Sequence, residues 1–446
     1  MAGINAPDGR PYMPATDMAA MEAQSSLSSV LPWGGKYPPG VGVAQRKGFD
    51  IVTPEGLQLH DLHQRILSYS MGGHADEINA AVNASRIRFP NATLVDTTEY
   101  FEPATLFMQA LHEALGPYGD FLLQLATTGT GANEQAIRLA MGSLGGEKSS
   151  RLLALSENYG GCGLQMNAIC DAEGWKGDTS LKSNARHVNI DGSNLDKVFA
   201  ACVNAGEKPI LIMEDGIQGV GGFKLLDIAF LRELAERISD AGGRKIYDNV
   251  QALVRATGEK GLFGFNRWAD PKNPKHLPDF VTFAKGIGDG QAMAGLAVRR
   301  DVAEQVKAAP GGAGNTFDTF NRGRDALVTA GKVLEITQGE KLWENVHARG
   351  HQFQGNLRPM LDKYPGVVRD VVGIGGMTGL EFRDPSKLVH GMRIAPEFGI
   401  VVAKGGSARN PVMRLPLQFD TPAAFVESVS DCIEYMLKTV QLETGA

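Results

Sequence analysis

DFVTFAKGIGDGQ, residues 279–291, combines an apolar run with a lysine and a cluster of glycines. Phe280, Val281 and Phe283 are typical of a buried β-strand, and the run stops at Lys285. Three glycines follow within five residues, and glycines let a backbone pack closely around a bound group. Lys285 is therefore either a surface charge that closes a strand or an amine held in a pocket.

Other short apolar runs resemble this one, and helical patterns lie between some of them. The predicted strands are residues 151–157, 209–215, 245–249, 280–286 and 295–300. In residues 227–243 the apolar side chains recur at helical spacing, and Gly242 suits the C-terminal cap. A second helical pattern follows a glycine turn at residues 131–146. Strands that alternate with helices predict an α/β fold with a mostly parallel sheet covered on both faces.

The two ends of the chain differ from this central pattern. Residues 50–70 predict a short hairpin, and residues 325–365 predict helices. Residues 367–419 predict strands of a second sheet, which a final helix follows. We therefore expect a smaller α+β domain built from both chain ends. The predicted organisation is an N-terminal arm (1–45), a small α+β domain (46–85 and 325–446) and a large α/β domain (86–324).

The composition is that of an ordinary globular protein, and it argues against several function classes. Of the 446 residues, 43% are hydrophobic and 21% are charged, and the formal net charge is −6. Without a basic excess, nucleic acid is not an expected partner. No apolar stretch approaches the roughly 20 residues that span a bilayer, and the N-terminus lacks a secretory signal pattern. Four scattered cysteines favour a reducing compartment, so we expect a cytoplasmic protein without a membrane partner.

Reactive side chains gather where the predicted strands end. Lys285 ends one strand, Asp248 lies at the end of another, and Tyr159 follows a third. In open α/β sheets, ligands collect at the carboxyl ends of the strands. The loop TGTG at 128–131 opens a helix, where backbone N–H groups form a natural seat for a phosphate. Together these features suggest pyridoxal phosphate, which needs an amine for a Schiff base and a carboxylate beside its pyridine nitrogen.

From about residue 50 to residue 420 the chain resembles the class III aminotransferases, which are pyridoxal-phosphate enzymes of fold type I. The most specific motifs are Ala-Lys-Gly-Ile-Gly at 284–288 and Asp-x-Val-Gln at 248–251. The supporting motifs lie at residues 128–134, 159–161, 215–219 and 316–317, and at Arg414. The threonine loop and the Asn-Thr-Phe at 315–317 also give some resemblance to the diaminobutyrate aminotransferase branch.

The resemblance implies a role for each residue around the cofactor ring. Lys285 would form the Schiff base and later move a proton between the substrate Cα and the cofactor. Asp248 would hold the ring nitrogen protonated, since a charge-assisted hydrogen bond favours that state. Val250 would pack against one ring face and Tyr159 against the other. Gln251 would hydrogen-bond the 3-oxygen of the ring.

The phosphate and the substrate have implied contacts of their own. Gly129 and Thr130 would bind the phosphate, and Thr316 would reach the phosphate of a neighbouring subunit. The resemblance therefore implies a homodimer or a higher homo-oligomer. Arg414 would bind a substrate carboxylate, because a guanidinium matches a carboxylate in two parallel bonds. No metal ion is expected, since the histidine pair at positions 60 and 63 lacks a third ligand nearby.

Several positions depart from the family pattern and leave the reaction open. Gly216 replaces a proline, Asn249 replaces a glutamate, and residues 255–258 and 318–322 differ on the substrate side. The leading hypothesis is an aminotransferase that moves an amino group from an amino acid to a 2-oxo acid, with a diamino acid as one candidate donor. A racemase, aminomutase or decarboxylase on the same cofactor is an alternative. A non-catalytic binding protein is a further alternative, although the intact lysine and aspartate argue against it.

Overall fold

The computed structural model describes residues 42–90, 94, 101–171, 185–309 and 319–445. Its strands are β1 (Gln45–Lys47), β2 (Asp50–Val52), β3 (Gln58–Asp61), β4 (Phe121–Ala126), β5 (Ser150–Leu155), β6 (Ala185–Val188), β7 (Lys208–Glu214), β8 (Ile217–Gln218), β9 (Lys224–Leu225), β10 (Arg244–Asp248), β11 (Phe280–Phe283), β12 (Ala294–Arg299), β13 (Val368–Ile374), β14 (Met377–Phe382), β15 (Ile400–Val401), β16 (Ala403–Gly406) and β17 (Pro411–Pro416). Its right-handed α-helices are α1 (Ala75–Arg88), α2 (Glu102–Leu115), α3 (Gly129–Ser143), α4 (Leu164–Ile169), α5 (Leu195–Asn204), α6 (Ile228–Asp240), α7 (Arg300–Ala308), α8 (Arg324–Gly339), α9 (Leu342–Lys363), α10 (Pro385–Ile394) and α11 (Ala423–Thr444). Among the described residues, no helix combines the length and the apolar character needed to cross a membrane.

A seven-stranded sheet forms the middle of the chain, with the strand order β4-β12-β11-β10-β7-β5-β6. The five strands from β11 to β6 run parallel, whereas β12 runs antiparallel to both of its neighbours. The five predicted strands correspond to β5, β7, β10, β11 and β12. The α/β class with a mostly parallel sheet is therefore confirmed.

The strand within residues 279–291 is shorter than predicted. β11 ends at Phe283, and Lys285–Gly288 forms one turn of 3-10 helix. Asp289 ties this turn to the N-terminal part of the chain, because its carboxylate accepts from the backbone N–H of Ser70 at 2.7 Å and of Met71 at 3.1 Å. Lys285 therefore opens a turn beyond the strand end, instead of closing the strand itself.

Helix α6 follows the predicted pattern. Leu231, Leu234 and Ile238 are fully buried, which is the spacing of one helix face. The Asp227 carboxylate caps the N-terminus by accepting from the N–H of residue 230 at 2.9 Å. Gly242 has a φ of +67°, a conformation that glycine adopts readily just after a helix. Both ends of the helix are thus specified by local sequence.

Two further four-stranded sheets combine the chain ends. One has the order β1-β2-β3-β15, and the other has the order β13-β14-β17-β16. The predicted hairpin is confirmed for β2 and β3 but is wrong beyond residue 61, where Gln64–Leu67 forms a left-handed turn. The prediction of a single C-terminal sheet is wrong for β15, which pairs in parallel with β3. The domain boundaries stay a prediction, and residues 1–41 of the predicted arm lie outside the described residues.

Candidate active site

A cavity of about 710 Å³ opens where β5, β7, β10 and β11 reach their carboxyl ends. Eight of the nine predicted site residues line it, namely Gly129, Thr130, Tyr159, Asp248, Val250, Gln251, Lys285 and Arg414. The central sheet brings seven of them together, because they end or follow strands whose carboxyl ends share one edge, whereas Arg414 comes from β17 of a second sheet. The ninth residue, Thr316, lies outside the described residues, so its role stays a prediction.

The N-terminus of α3 presents backbone amides to one side of the cavity. Thr128 is the helix cap, since its hydroxyl oxygen accepts from the Gly131 N–H at 3.0 Å. The amides of Gly129 and Thr130 come before the first intrahelical hydrogen bonds, so the helix itself offers them no acceptor. A side chain at Gly129 would collide with Val250, because a Cβ there would lie 2.8 Å from it. This tight loop at the start of a 15-residue helix suits a phosphate group.

Lys285 brings an amine to the wall of the cavity. Burial and, to a smaller extent, the nearby Arg414 guanidinium lower the pKa of Lys285 to about 8. The carboxylates of Glu214 and Asp248 act in the opposite direction. A larger fraction of Lys285 is therefore neutral at pH 7 than of an ordinary lysine, and the neutral amine is the form that acts as nucleophile and base.

The Asp248 carboxylate is held in a fixed orientation. One oxygen accepts from Asn133 Nδ2 at 2.7 Å, and the other accepts from the Val250 N–H at 2.9 Å. Thr282 orients Asn133 in turn, because its hydroxyl donates to Asn133 Oδ1 at 2.6 Å. Burial raises the pKa of Asp248 to about 6, although the hydrogen bonds and Lys285 oppose this rise. The carboxylate is therefore mostly ionised at pH 7, as a partner of a protonated ring nitrogen must be.

Glu214 also lines the cavity, although the motif comparison matches its neighbour Asp215 to the acid of the family. The Glu214 carboxylate accepts from the backbone N–H of Tyr159 at 2.7 Å and from that of Gly219. Burial raises the pKa of Glu214 to about 8. Asp215 lines the cavity as well, but its carboxylate accepts from the Phe265 N–H at 2.6 Å, so it also supports the fold around the site.

Strand alternation is the sequence signal that finds Glu214. Ile210 and Ile212 of β7 pack in the core cluster that includes α3, and Glu214 continues the same alternation. The register of the sheet pairs Glu214 directly with Asp248 on β10. No comparable signal identifies Asn133, because its contact with Asp248 depends on how α3 packs on the sheet.

Arg414 supplies a buried positive charge on β17. It is 3% exposed, and neither its Nε nor its Nη1 has a hydrogen-bond partner among the described residues. Burial lowers the pKa of Arg414 to about 10, while Glu214 raises it. Buried donors without partners indicate that a ligand completes their hydrogen bonds. Arg255 is buried too, but it donates to the carbonyls of Leu417 at 3.1 Å and Tyr69 at 2.9 Å, so its role is structural.

These groups fit pyridoxal phosphate. The amides at 129 and 130 suit its phosphate, Asp248 suits its ring nitrogen, and Lys285 suits its aldehyde carbon. Gln251 adds a buried side-chain oxygen that has no hydrogen-bond partner within the described ranges. The amide nitrogen of the same side chain is the atom that suits the 3-oxygen of the ring, because that oxygen accepts hydrogen bonds.

Comparisons with known proteins point in the same direction. The family profile described as aminotransferase class-III matches residues 35–434. A mitochondrial alanine–glyoxylate aminotransferase 2 homologue of Arabidopsis thaliana is 27% identical over 361 residues, which cover 75% of this chain and 69% of that protein. The 4-aminobutyrate aminotransferase of Escherichia coli is 28% identical over 354 residues, which cover 73% of this chain and 75% of that protein.

Solved structures of aminotransferases share the fold. An aminotransferase of Bacillus anthracis superposes with a TM-score of 0.80 at 19% identity, covering 96% of this chain and 100% of that chain. An ornithine aminotransferase of Toxoplasma gondii, described with pyridoxal phosphate at its active site, superposes with a TM-score of 0.78 at 20% identity, covering 97% of this chain and 96% of that chain. The family match extends over most of the sequence and over every described site residue. The chain belongs to the class III aminotransferases, and it is a pyridoxal-phosphate-dependent enzyme that transfers an amino group from an amino acid to a 2-oxo acid.

Proposed function

We propose that each residue of the cavity has the role in amino transfer that the family resemblance implies. Bound pyridoxal phosphate supplies an electron-poor ring that accepts the electron pair of the broken Cα–H bond. Lys285 would hold the cofactor covalently through its Nζ, and once the substrate amine has replaced it on the cofactor, the freed Nζ would take the proton from the substrate Cα. Asp248 keeps the ring nitrogen protonated. Val250 and Tyr159 pack against the two faces of the ring, and Gln251 donates to its 3-oxygen.

The proposed substrate is an amino acid whose carboxylate binds Arg414. This proposal rests on one observation, which is a buried guanidinium in the same cavity as Lys285 and Asp248, with two nitrogens that have no hydrogen-bond partner among the described residues. A carboxylate would supply this group with charged hydrogen-bond acceptors. An amino acid donor and a 2-oxo acid acceptor both carry such a carboxylate, so one site serves both half-reactions. A diamino acid is a candidate donor, and 2-oxoglutarate or pyruvate is the proposed acceptor.

A spectral titration of the purified protein tests this function. Candidate amino acids are added one at a time to the cofactor-loaded protein, and the visible absorption of the cofactor is followed. A donor converts the bound cofactor to its amine form, and a 2-oxo acid added afterwards restores the starting spectrum. Conversion by amines that lack a carboxylate, with no response to amino acids, would refute the proposed substrate class.

Replacing Arg414 with alanine is expected to raise KM for carboxylate substrates and to leave the cofactor bound. A charge-assisted hydrogen-bond pair of this kind is typically worth roughly 1.5–3 kcal/mol, which corresponds to about 10- to 150-fold. Steady-state kinetics with an amino acid and a 2-oxo acid measure the change. Arg358→Ala is the matched control, because Arg358 is exposed on α9 and does not line the cavity. Equal KM values for the Arg414→Ala variant and the parent would show that another group binds the carboxylate.

We also propose that the active unit is a homodimer or a higher homo-oligomer. The resemblance places Thr316 against the phosphate of the neighbouring subunit, so one chain alone would lack a phosphate contact. Large apolar side chains at Ile87, Leu106 and Phe320 are 83%, 54% and 66% exposed, and each is a candidate for burial by a second copy. Leu106 also lines a groove of about 570 Å³ between α1, α2 and α8.

Sedimentation under assay conditions is expected to give a dimer or a larger assembly. Activity per chain should fall on dilution below the dissociation constant, because each site then loses the partner's contribution. A monomer that retains full activity at the same concentration would refute the proposed assembly.

The proposed compartment is the cytoplasm or another reducing environment. All four cysteines, Cys162, Cys170, Cys202 and Cys432, are free thiols in the structure. Free cysteines are typical of proteins that work where thiols stay reduced.

A further inference from the structure

A turn of unusual backbone conformation lies at the mouth of the cavity. Gln64, Arg65, Ile66 and Leu67 have φ values of +49°, +43°, +58° and +63°. Only glycine adopts this left-handed region without a steric cost, and consecutive non-glycine residues rarely occupy it. Such strain persists where the surrounding structure enforces it, and it is frequent at ligand-binding positions.

Contacts from three directions hold this turn in place. The Asp61 carboxylate accepts from the backbone N–H groups of His63 at 3.0 Å and of Gln64 at 2.9 Å. The Gln64 side chain is buried and donates to the Pro416 carbonyl at 2.7 Å. The buried Arg255 donates to Gln64 Oε1 at 3.2 Å. The tertiary structure therefore fixes Gln64, and the chain direction after it places the next residues at the cavity.

Arg65 and Ile66 both line the cavity as a result of this turn. The Arg65 side chain is exposed, and it makes no ion pair with any residue that the structure describes. Arg46, a short distance away along the chain, contrasts with it, because Arg46 pairs with Asp61 at 2.6 Å. Arg65 is therefore a cation without an ion-pair partner in the described part of the chain, and it lines the same cavity as the buried cation Arg414.

The acidic groups of the cavity make their hydrogen bonds elsewhere and do not form an ion pair with Arg65. Glu214 accepts from two backbone N–H groups, Asp248 accepts from Asn133 and a backbone N–H, and Asp215 accepts from the Phe265 N–H. Apart from Lys285 and Arg414, the other residues that line the cavity are uncharged, Ser68 and Gln291 among them. The entrance therefore carries a positive charge that attracts an anionic group and repels a second ammonium group.

We propose that Arg65 binds a second, distal carboxylate of the substrate, so that the preferred substrates are amino and 2-oxo dicarboxylic acids. This proposal rests on the proposed function, in which Arg414 takes the carboxylate next to the reacting carbon. Two guanidinium groups, one at the inner wall and one at the mouth, then match the two ends of a dicarboxylate. A diamino donor presents an ammonium group to Arg65 and is disfavoured, so this inference removes the diamino acid from the candidate donors of the proposed function.

The test compares three amino donors with the cofactor-loaded enzyme: L-glutamate, L-alanine and L-ornithine. Arg65→Gln is expected to raise KM for L-glutamate by roughly 5- to 30-fold, as for a partly exposed charge-assisted contact. Its kcat/KM for L-alanine, which has no distal carboxylate, should stay within about twofold. Arg65→Lys should recover part of the glutamate KM, because it restores the charge without the planar fork.

Two further variants keep the test interpretable. Arg65→Gly accepts a φ of +43° without strain, so it folds at least as readily as the parent and should show the same loss for L-glutamate. Arg358→Gln removes an exposed arginine that does not line the cavity, and it should leave KM and kcat/KM unchanged for all three donors.

The possible outcomes separate the two proposals. Equal KM changes for L-glutamate and L-alanine, or no change for either, would overturn the role of Arg65. A parent enzyme that prefers L-ornithine to L-glutamate would overturn it as well. If Arg65→Gln has a lower affinity for pyridoxal phosphate but keeps the donor preference of the parent, Arg65 binds the cofactor and not the substrate. Failure of the parent to transaminate any amino acid would refute the proposed function itself.

Discussion

Replacing Lys285 with alanine is expected to abolish turnover while the fold remains intact. The variant loses both the covalent attachment of the cofactor and the base that takes the Cα proton, and a positioned base alone typically contributes 10²–10⁴-fold. Borohydride treatment followed by peptide mass spectrometry should find the reduced cofactor on residue 285 of the parent and nowhere on the variant. A reducible adduct that persists in Lys285→Ala would mean that a different amine carries the cofactor.

Lys245 provides a matched control for this variant. It lies on the adjacent strand β10, and burial lowers its pKa to about 8, as it does for Lys285. Its amine, however, donates to Ser239 Oγ at 2.5 Å and to the Lys275 carbonyl at 2.6 Å, away from the cavity. Lys245→Met should therefore reduce stability but keep both the adduct and the turnover. The comparison shows whether the adduct and the turnover depend on the position of the amine or only on its lowered pKa.

The central sheet was predictable from sequence because buried strands carry a strong local signal. Strands β5, β7 and β11 are largely buried, so each contains a continuous apolar run, whereas in β10 only Ile246 and Tyr247 give this signal. The pairing of β15 with β3 was not predictable, since two residues of strand pair with a partner more than 300 positions away. The left-handed turn at 64–67 also has no sequence signal, because it contains no glycine and depends on contacts such as Arg255 with Gln64.

Some of the site residues were likewise predictable from the local sequence, whereas others depend on how distant segments pack together. Lys285 and Asp248 were predictable because each lies at the end of a parallel strand, and those ends meet at one edge. The distinction between Glu214 and Asp215 required the register of the sheet, which pairs Glu214 with Asp248. Asn133 was missed because its contact with Asp248 arises only when α3 packs on the strands.

Replacing Asp248 with asparagine is expected to preserve the fold and some cofactor binding, yet to slow proton abstraction by several orders of magnitude. The amide is nearly the same shape, but it carries no charge to keep a ring nitrogen protonated, so the ring loses most of its ability to accept electrons. Single-turnover kinetics with a Cα-deuterated donor measure the step directly, because a large isotope effect shows that proton removal limits the rate. Turnover near that of the parent would mean that another residue is the partner of the ring nitrogen.

Asp215→Asn is the matched control, because Asp215 is a buried acid at the neighbouring strand end whose carboxylate accepts from Phe265 N–H and Trp268 Nε1. Its loss should affect stability and leave the isotope effect unchanged.

Cofactor affinity gives a second readout for Asp248→Asn that does not depend on activity. In the free protein the pKa of Asp248 is raised to about 6, so the carboxylate becomes protonated as the pH falls below that value. The advantage of the parent over Asp248→Asn in binding the cofactor should therefore be full at pH 7 and shrink below pH 6. An advantage that does not change with pH would show that the negative charge of Asp248 is not what holds the ring.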